Sequence, residues 1–581
     1  MNPQKKLKLI LCWHMHQPDY RHHVTGEFAL PWTYLHAIKD YTDMAYHLEQ
    51  SPQARAVVNF VPILLDQLED YTEQFRSGKM RDPLLRLLAA KDLEHLTLEQ
   101  RKLVLDSCFR SHHSKMIEPY PAYKRLYDLF KLHEGQGTEN LHYLSSQYLA
   151  DLLVWYHLAW TGESVRREHE LVVSMMSKGC LFTYKERLKL FALIGELIAD
   201  IIPRYRKLAD DGQVELSSTP YYHPIAPLLL DFESARESLP EIDLPVSPRY
   251  PGGKSRLSFH ITEAIKMHER HFGTKPQGMW PAEGGVSQAA AMQMAQNGCR
   301  WIATGQKVLS NSLHNAAQAG SLTDPLTYLY RPYRVSDGKN EIACFFRDDR
   351  LADKIGFEYA KWFGRDAVLN FVHSLEEIWQ QSSGHENPVV SVILDGENAW
   401  EYYPYNGYYF LSEMYAMLQD HPYIEFTTFG DYLDNCRDEA RHPKRTSNAC
   451  AEMRDLPHLV AGSWVYGNFS TWIGCQEKNR AWDLLCHAKQ SYDLVIAGER
   501  LNTEQQYKAE RQLALCEGSD WFWWFGDYNP GDSVRSFDKL YRENLADLYR
   551  LLMLDPPHEL EIPLSQGGGY AEAGGAMRRN T

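Results

Sequence analysis

The stretch VVSVILDGENAWEYYPYN, Val389–Asn406, carries strand-forming apolar residues up to an aspartate, a glycine, a glutamate and a crowd of aromatics. Three other stretches share this plan. Leu7–Cys12 runs into Trp13, His14, Met15, His16, Gln17 and Pro18. Gly212–Glu215 runs toward Thr219, Pro220, Tyr221, Tyr222, His223 and Pro224. Gly278–Trp280 runs into Pro281, Ala282, Glu283 and two glycines. An isolated acid in a loop is ordinarily a solvated charge, but one delivered by a strand among Gly and Trp is better placed for chemistry. Two such groups, Glu283 and Asp395, suit the cleavage of glycosidic bonds. One carboxyl attacks or stabilises the anomeric carbon; the other protonates the leaving oxygen and then activates water. Aromatic rings lie flat on sugar faces, and histidines hold hydroxyls.

For these groups to meet, the strands that carry them must end on one rim. Short β-rich runs recur at Leu7–Cys12, Ala56–Phe60, Val214–Ser217, Gly278–Trp280, Trp301–Thr304, Ile342–Phe346, Val389–Leu394 and Ile424–Thr427. Several lack polar alternation, as expected of parallel strands buried on both faces. Helical patterns separate them. Tyr184–Ala209 should kink or break near Pro203, and Ser287–Asn297 has a serine N-cap and stops before Gly298. Strand–helix alternation over about 430 residues predicts an α/β barrel of the TIM type, in which working residues sit at the C-terminal strand ends. Seven or eight strands fit the pattern equally well. The expected organisation is a catalytic barrel over 1–440 with a helical insertion near 82–178, a mainly helical region over 441–565 that contributes to the cleft, and a disordered tail over 566–581.

The bulk properties narrow the partners. A formal charge of −15 disfavours nucleic acid or an anionic membrane as the main partner. There is no apolar run of 18 residues, and the N-terminal run is short and ends in HMH, so it reads as a first strand rather than a signal peptide. Ten scattered cysteines without CxxC pairs fit reduced thiols and a cytoplasmic location. No cofactor is implied, and the oligomeric state is left open.

Five ordered regions carry a family resemblance: HQP at His16–Pro18, GQVEL at Gly212–Leu216, GMWPAE at Gly278–Glu283, LDGENAWE at Leu394–Glu401 and AGSWVYGNFSTWIG at Ala461–Gly474. Flanking stretches begin at Thr219 (TPYYHPIAPL), Arg249 (RYPGGKSRLSFHITEA), Phe345 (FFRDDRLADKIGFEY) and Glu517 (EGSDWFWWFGD). Over most of its length the chain resembles glycoside hydrolase family 57, retaining α-glucan-active enzymes built on an incomplete seven-stranded barrel with a helical C-terminal region. Carried over position by position, the resemblance makes Glu283 the nucleophile and Asp395 the general acid/base, with carboxyls roughly 5–5.5 Å apart. Asp395 should then have a raised pKa. His14, His16, Glu215, His223 and Glu397 would line the sugar site, and Trp280, Trp400, Trp464 and Trp472 would offer stacking faces. Two departures stand out. Gly305-Gln306 and Tyr528-Asn529 occupy places where many relatives have acidic residues or an acid–histidine pair.

The resemblance implies action on α-1,4-glucans such as maltodextrin, starch or glycogen fragments, of the amylase or amylopullulanase kind. A 4-α-glucanotransferase or branching enzyme would use the same pair. Two more distant readings are a metal-dependent amidohydrolase or deacetylase built on His14-x-His16 and a non-catalytic glucan-binding protein.

Overall fold

Seven parallel strands close into the anticipated barrel. In chain order the strands are β1 (Leu7–Met15), β2 (Ala56–Phe60), β3 (Val214–Ser218), β4 (Gly278–Met279), β5 (Trp301–Gly305), β6 (Tyr333–Ser336), β7 (Glu341–Arg347), β8 (Val389–Asp395), β9 (Ile424–Phe426) and β10 (Arg454–Asp455). The barrel runs β7-β5-β4-β3-β2-β1-β8 and closes where β7 meets β8 at Arg347 and Ser391. β6 lies antiparallel outside β7, β10 extends it, and β9 pairs with the first residues of β1. The structure, a computed structural model, describes residues 6–22, 24–132, 138–315, 324–382, 387–441 and 453–569.

Strand parity decides which residues reach the rim. On β1, Leu9, Leu11 and Trp13 pack outward against the surrounding helices, while Ile10 and Cys12 fill the barrel interior. On β8, Val390, Val392 and Leu394 face outward and Val389 and Ile393 inward. Successive side chains alternate across a strand, so the last inward positions are His14 on β1 and Asp395 on β8. These two are direct neighbours across the pairing. The same series ends at Asn59 on β2 and Arg347 on β7.

The span between β2 and β3 is helical, including Pro83–Ala89, Leu98–Cys108, Pro121–Lys131 and the almost wholly buried Ser146–Trp160. After β10 come helices Gln476–Ala497, Thr503–Cys516, Asp520–Trp524 and Gly531–Leu551. Ser287 caps Gln288–Gln296 as expected, its side chain accepting from Ala290 N.

Two further expectations meet local detail. Tyr184–Asp210 is one helix through Pro203, which sits on its exposed face. There a carbonyl freed by the ring can turn to water, and the buried Tyr205 hydroxyl ties the next turn to Tyr41 O at 2.9 Å. Of the tail, Gln566–Gly569 is held, because Gly568 N and Gly569 N both donate to Asn529 O; residues 570–581 lie outside the described residues. Among the described residues no helix is long and apolar enough to cross a membrane.

Candidate active site

A cavity of about 1710 Å³ opens at the C-terminal rim, and His14, His16, Glu283, Asp395, Glu397 and Trp464 all line it. Two further walls come from outside the barrel. Lys102–Phe130 of the helical span supplies Phe109, Arg110, His112 and Tyr127, and the C-terminal region supplies Asp520, Trp523, Trp524 and Phe537.

β8 ends at Asp395, and Gly396 follows, packed closely against β1. Its N–H donates to His14 O at 2.7 Å, and a Cβ there would lie 2.1 Å from Met15 Sδ. Asn398 Nδ2 donates to Asp395 Oδ2 at 2.7 Å. Glu283 stands in the turn after β4 with a left-handed backbone, φ +57°, a geometry that costs a non-glycine residue about 1–2 kcal/mol. Strain of that kind persists where surrounding structure enforces it. Here the 461–474 segment does so: Val286 and Gly462 exchange both backbone hydrogen bonds, and Trp464 N donates to Glu283 O at 3.2 Å. The Trp464 indole N–H then reaches Glu283 Oε2 at 3.0 Å.

Burial pushes the Glu283 carboxyl well above the usual range, and the nearby Asp395 charge pushes it further; the Trp464 hydrogen bond works against both. Burial likewise raises Asp395 to about 6, opposed by Asn398 and the charges of His16 and Arg347. Glu397 is raised by burial and then by Asp395, although His16 N and Gln17 Nε2 both donate to its Oε1. Burial and neighbouring like charge thus favour the protonated form across this group.

Three imidazoles pack together beside the acids, and two of them, His14 and His16, line the cavity. The rings of His16 and His223 stack at 3.9 Å and 23°, with His14 at 5.7 and 5.2 Å from them. Burial, then His16, pushes His14 down to about 3, and the same two causes with His14 lower His223. Neutral His14 donates from Nδ1 to Asn59 Oδ1 at 2.7 Å, which leaves its Nε2 as an acceptor. His16 Nε2 lies 2.8 Å from Asp520 Oδ1, and His223 Nδ1 shares a 2.8 Å bond with Ser519 Oγ. Ligand atoms of His16, His223 and Asp520 come within 4.8 Å of one another. Face-to-face rings, however, point their in-plane lone pairs side by side rather than at a common point, so the trio is poorly built for a metal ion.

Five expected site residues do not line the cavity. Glu215 is the second residue of β3, three residues below its end, and lies inside the barrel. Trp301 Nε1 and Gly430 N each donate to its carboxylate at 2.7 Å, so it braces the interior. Trp400 is a core residue, packed edge-on against Trp13 at 5.9 Å with its indole N–H on Gly396 O. Trp472 is buried beside Trp523, and its carbonyl accepts from Trp482. Trp280 is buried under Trp464, edge to face at 5.1 Å. His223 sits behind His16. Of the four tryptophans only Trp464 offers a surface to the cavity; Trp523 and Trp524, within the quoted EGSDWFWWFGD stretch, join it. Asn59, Arg347 and Asp520 escaped the sequence reading. Parity along β2 and β7 would have found the first two. Asp520 stands in the quoted EGSDWFWWFGD stretch, but strand parity says nothing of it, because a distant segment brings it.

Both sequence departures have local reasons. A Cβ at Gly305 would lie 2.7 Å from Trp464 Cα, so any side chain there would displace the tryptophan that bonds Glu283. Asn529 Nδ2 donates to the carbonyls of Trp523 and Trp524 at 2.9 Å each and fixes that wall.

A closed parallel barrel presenting paired carboxyls in an aromatic cleft at its C-terminal rim defines an enzyme of the glycoside-hydrolase class. The chain belongs to glycosyl hydrolase family 57, whose profile matches residues 10–446. No curated protein matches the sequence. Among solved structures, the fold is similar to the family 57 branching enzymes of Thermococcus kodakaraensis (16% identity, TM-score 0.55, 94% of this chain and 90% of that one) and Pyrococcus horikoshii (15%, 0.54, 96% and 98%). It is also similar to the α-amylase AmyC of Thermotoga maritima (16%, 0.53, 94% of each chain).

Proposed function

We propose that the protein acts on α-1,4-glucans by double displacement, as an amylase. The observation that carries this reading is the placement of Glu283 and Asp395 on one cavity rim, where burial raises both carboxyls. Glu283 attacks the anomeric carbon to give a covalent glycosyl ester, while Asp395 gives its proton to the departing glycosidic oxygen. Asp395 then takes a proton from water, which attacks the same carbon and frees Glu283. Trp464 holds Glu283 Oε2 and leaves Oε1 to react. His14 Nε2 accepts from a sugar hydroxyl, and Trp464, Trp523 and Trp524 give the sugar faces apolar contact. The volume of the cleft, about 1710 Å³ and walled by the helical span and the C-terminal region, favours an oligosaccharide over a single sugar.

The same pair serves transfer if a sugar hydroxyl replaces water, and the similar folds include both amylase and branching enzymes. Incubating the protein with maltoheptaose, with and without glucose, separates these outcomes. Hydrolysis gives only shorter oligomers. A ladder extending above the starting length would assign a transferase, and unchanged maltoheptaose would overturn the α-glucan reading.

A further inference from the structure

Outside the cleft, aromatic residues gather where two rim loops leave the cavity wall. Past cavity-lining Phe357, the loop after β7 runs to Trp362 and Phe363, which are 44% and 75% exposed. Past cavity-lining Tyr402, the loop after β8 runs to Tyr405 and Tyr409, 55% and 48% exposed. The two loops touch, since a Cβ on Gly364 would lie 3.3 Å from Tyr409 Cβ. The aromatic surface is therefore an outward continuation of the cleft on one side.

Its tyrosines are held rigidly. Tyr405, Asn406 and Gly407 all have left-handed backbones, φ +54°, +54° and +71°, an arrangement that survives only when the surroundings enforce it. Buried Asn406 enforces it, with Nδ2 donating to Asp43 Oδ2 and Oδ1 accepting from Lys39 Nζ, both at 2.8 Å. The Arg167 guanidinium lies 5.9, 4.4 and 5.1 Å from the ring centres of Tyr405, Tyr408 and Tyr409. It donates to the Tyr409 hydroxyl at 2.9 Å and is anchored from behind by Glu163 at 2.7 Å. Core packing does not account for rings this exposed, and a charged partner does not either, since Arg167 already has its carboxylate. Preorganised flat rings with hydroxyl edges suit a neutral polymer of hydroxylated rings, and they lose little freedom when covered.

We propose that Trp362, Phe363, Tyr405 and Tyr409 form a second α-glucan-binding surface that holds a polymer strand alongside the cleft; this rests on the α-glucan reading above. The test compares the full-length protein with Phe363→Ser, Tyr405→Asn and their combination. Asn tolerates the left-handed turn, and melting curves confirm folding. Retardation in native gels containing glycogen should weaken by about fivefold or more in the combined variant, with a matching rise in KM on amylopectin. Turnover of the short substrate maltoheptaose should stay within about twofold. Tyr409→Phe, which keeps the ring, should bind glycogen as the parent does. Normal maltoheptaose turnover with undiminished retardation overturns this inference alone, as does a parent dimer that dissociates in the variants while retardation is unchanged. Absence of maltoheptaose turnover by the parent overturns the glucan reading and this inference with it.

Discussion

Two regions of the molecule enclose carboxyl groups and treat them in opposite ways. Glu517 is fully buried among complementary groups. Arg256 Nε and Nη2 donate to its two oxygens at 2.7 and 2.9 Å, Tyr250 donates at 2.5 Å, and His260 Nε2 lies 2.7 Å away. Burial alone would raise this carboxyl, but the Arg256 charge and these hydrogen bonds outweigh it and hold it down to about 2. At the cleft, Glu283, Asp395 and Glu397 are enclosed mainly with one another. Arg347, which also lines the cavity, is engaged by Asp349 and Asp353 at 2.7 and 3.0 Å. The first cluster is electrostatically complete and serves the fold. The second keeps an affinity for a proton, which is what an acid catalyst needs. The clusters are also joined: Glu517 anchors the segment whose Ser519 and Asp520 hold His223 and His16.

The sharpest way to test this contrast is to neutralise one acid in each cluster. Glu283→Gln should cut turnover by on the order of 10⁴-fold or more and leave the melting temperature equal or higher. Turnover close to the parent's would remove Glu283 from the chemistry. Glu517→Gln should do the reverse, costing about 3–5 kcal/mol of stability while molecules still folded keep most of their kcat. The sign with pH follows from its depressed pKa. The stability from Glu517 is present above the ordinary glutamate value of 4.5 and is lost as pH falls from there toward about 2. Urea unfolding across that range should show the acid loss in the parent and a flatter response in the variant.

Asp395→Asn should lose roughly 10²–10⁴-fold on substrates with poor leaving groups and much less on activated glycosides, which need little protonation. Equal losses on both would remove Asp395 from the acid role. Because its folded pKa is raised, Asp395 favours the fold below the ordinary aspartate range and disfavours it as pH rises through about 6. At neutral pH the Asn variant should therefore melt about 1–4 °C higher. The smallest effect is a shift in the pH profile. The alkaline limb of kcat/KM should reflect deprotonation of Asp395 near 6, and Asn398→Ala, which removes a hydrogen bond to the anion, should move it upward by less than about one unit. A downward shift would contradict the assigned role of Asn398.

Only the cleft half of this contrast is legible in the sequence. The strand runs ending at His14, Glu283 and Asp395 stand out because a parallel barrel buries both strand faces, so apolar runs stop where function begins. Glu215 is expected at the sugar site only through the resemblance; the run Val214–Ser217 already sets it early in its strand, and β3 continues through Ser218. Trp400 and Trp472 look like stacking residues in a linear motif, yet only tertiary packing decides which face of an indole meets solvent. The His16–Asp520 pairing joins residues 504 apart, and neither end alone announces it. Backbone strain at Glu283 has no sequence signature, since glutamate rarely adopts that conformation.

The central claim is that Glu283 is the group that forms the glycosyl ester. The direct measurement is to treat the protein with a fluorinated α-glucosyl fluoride that slows the second step, digest it and locate the added mass. A label on the peptide containing Glu283, absent in Glu283→Gln, is the predicted result; a label on Asp395 or Glu397, or steady turnover with no ester at all, would contradict it.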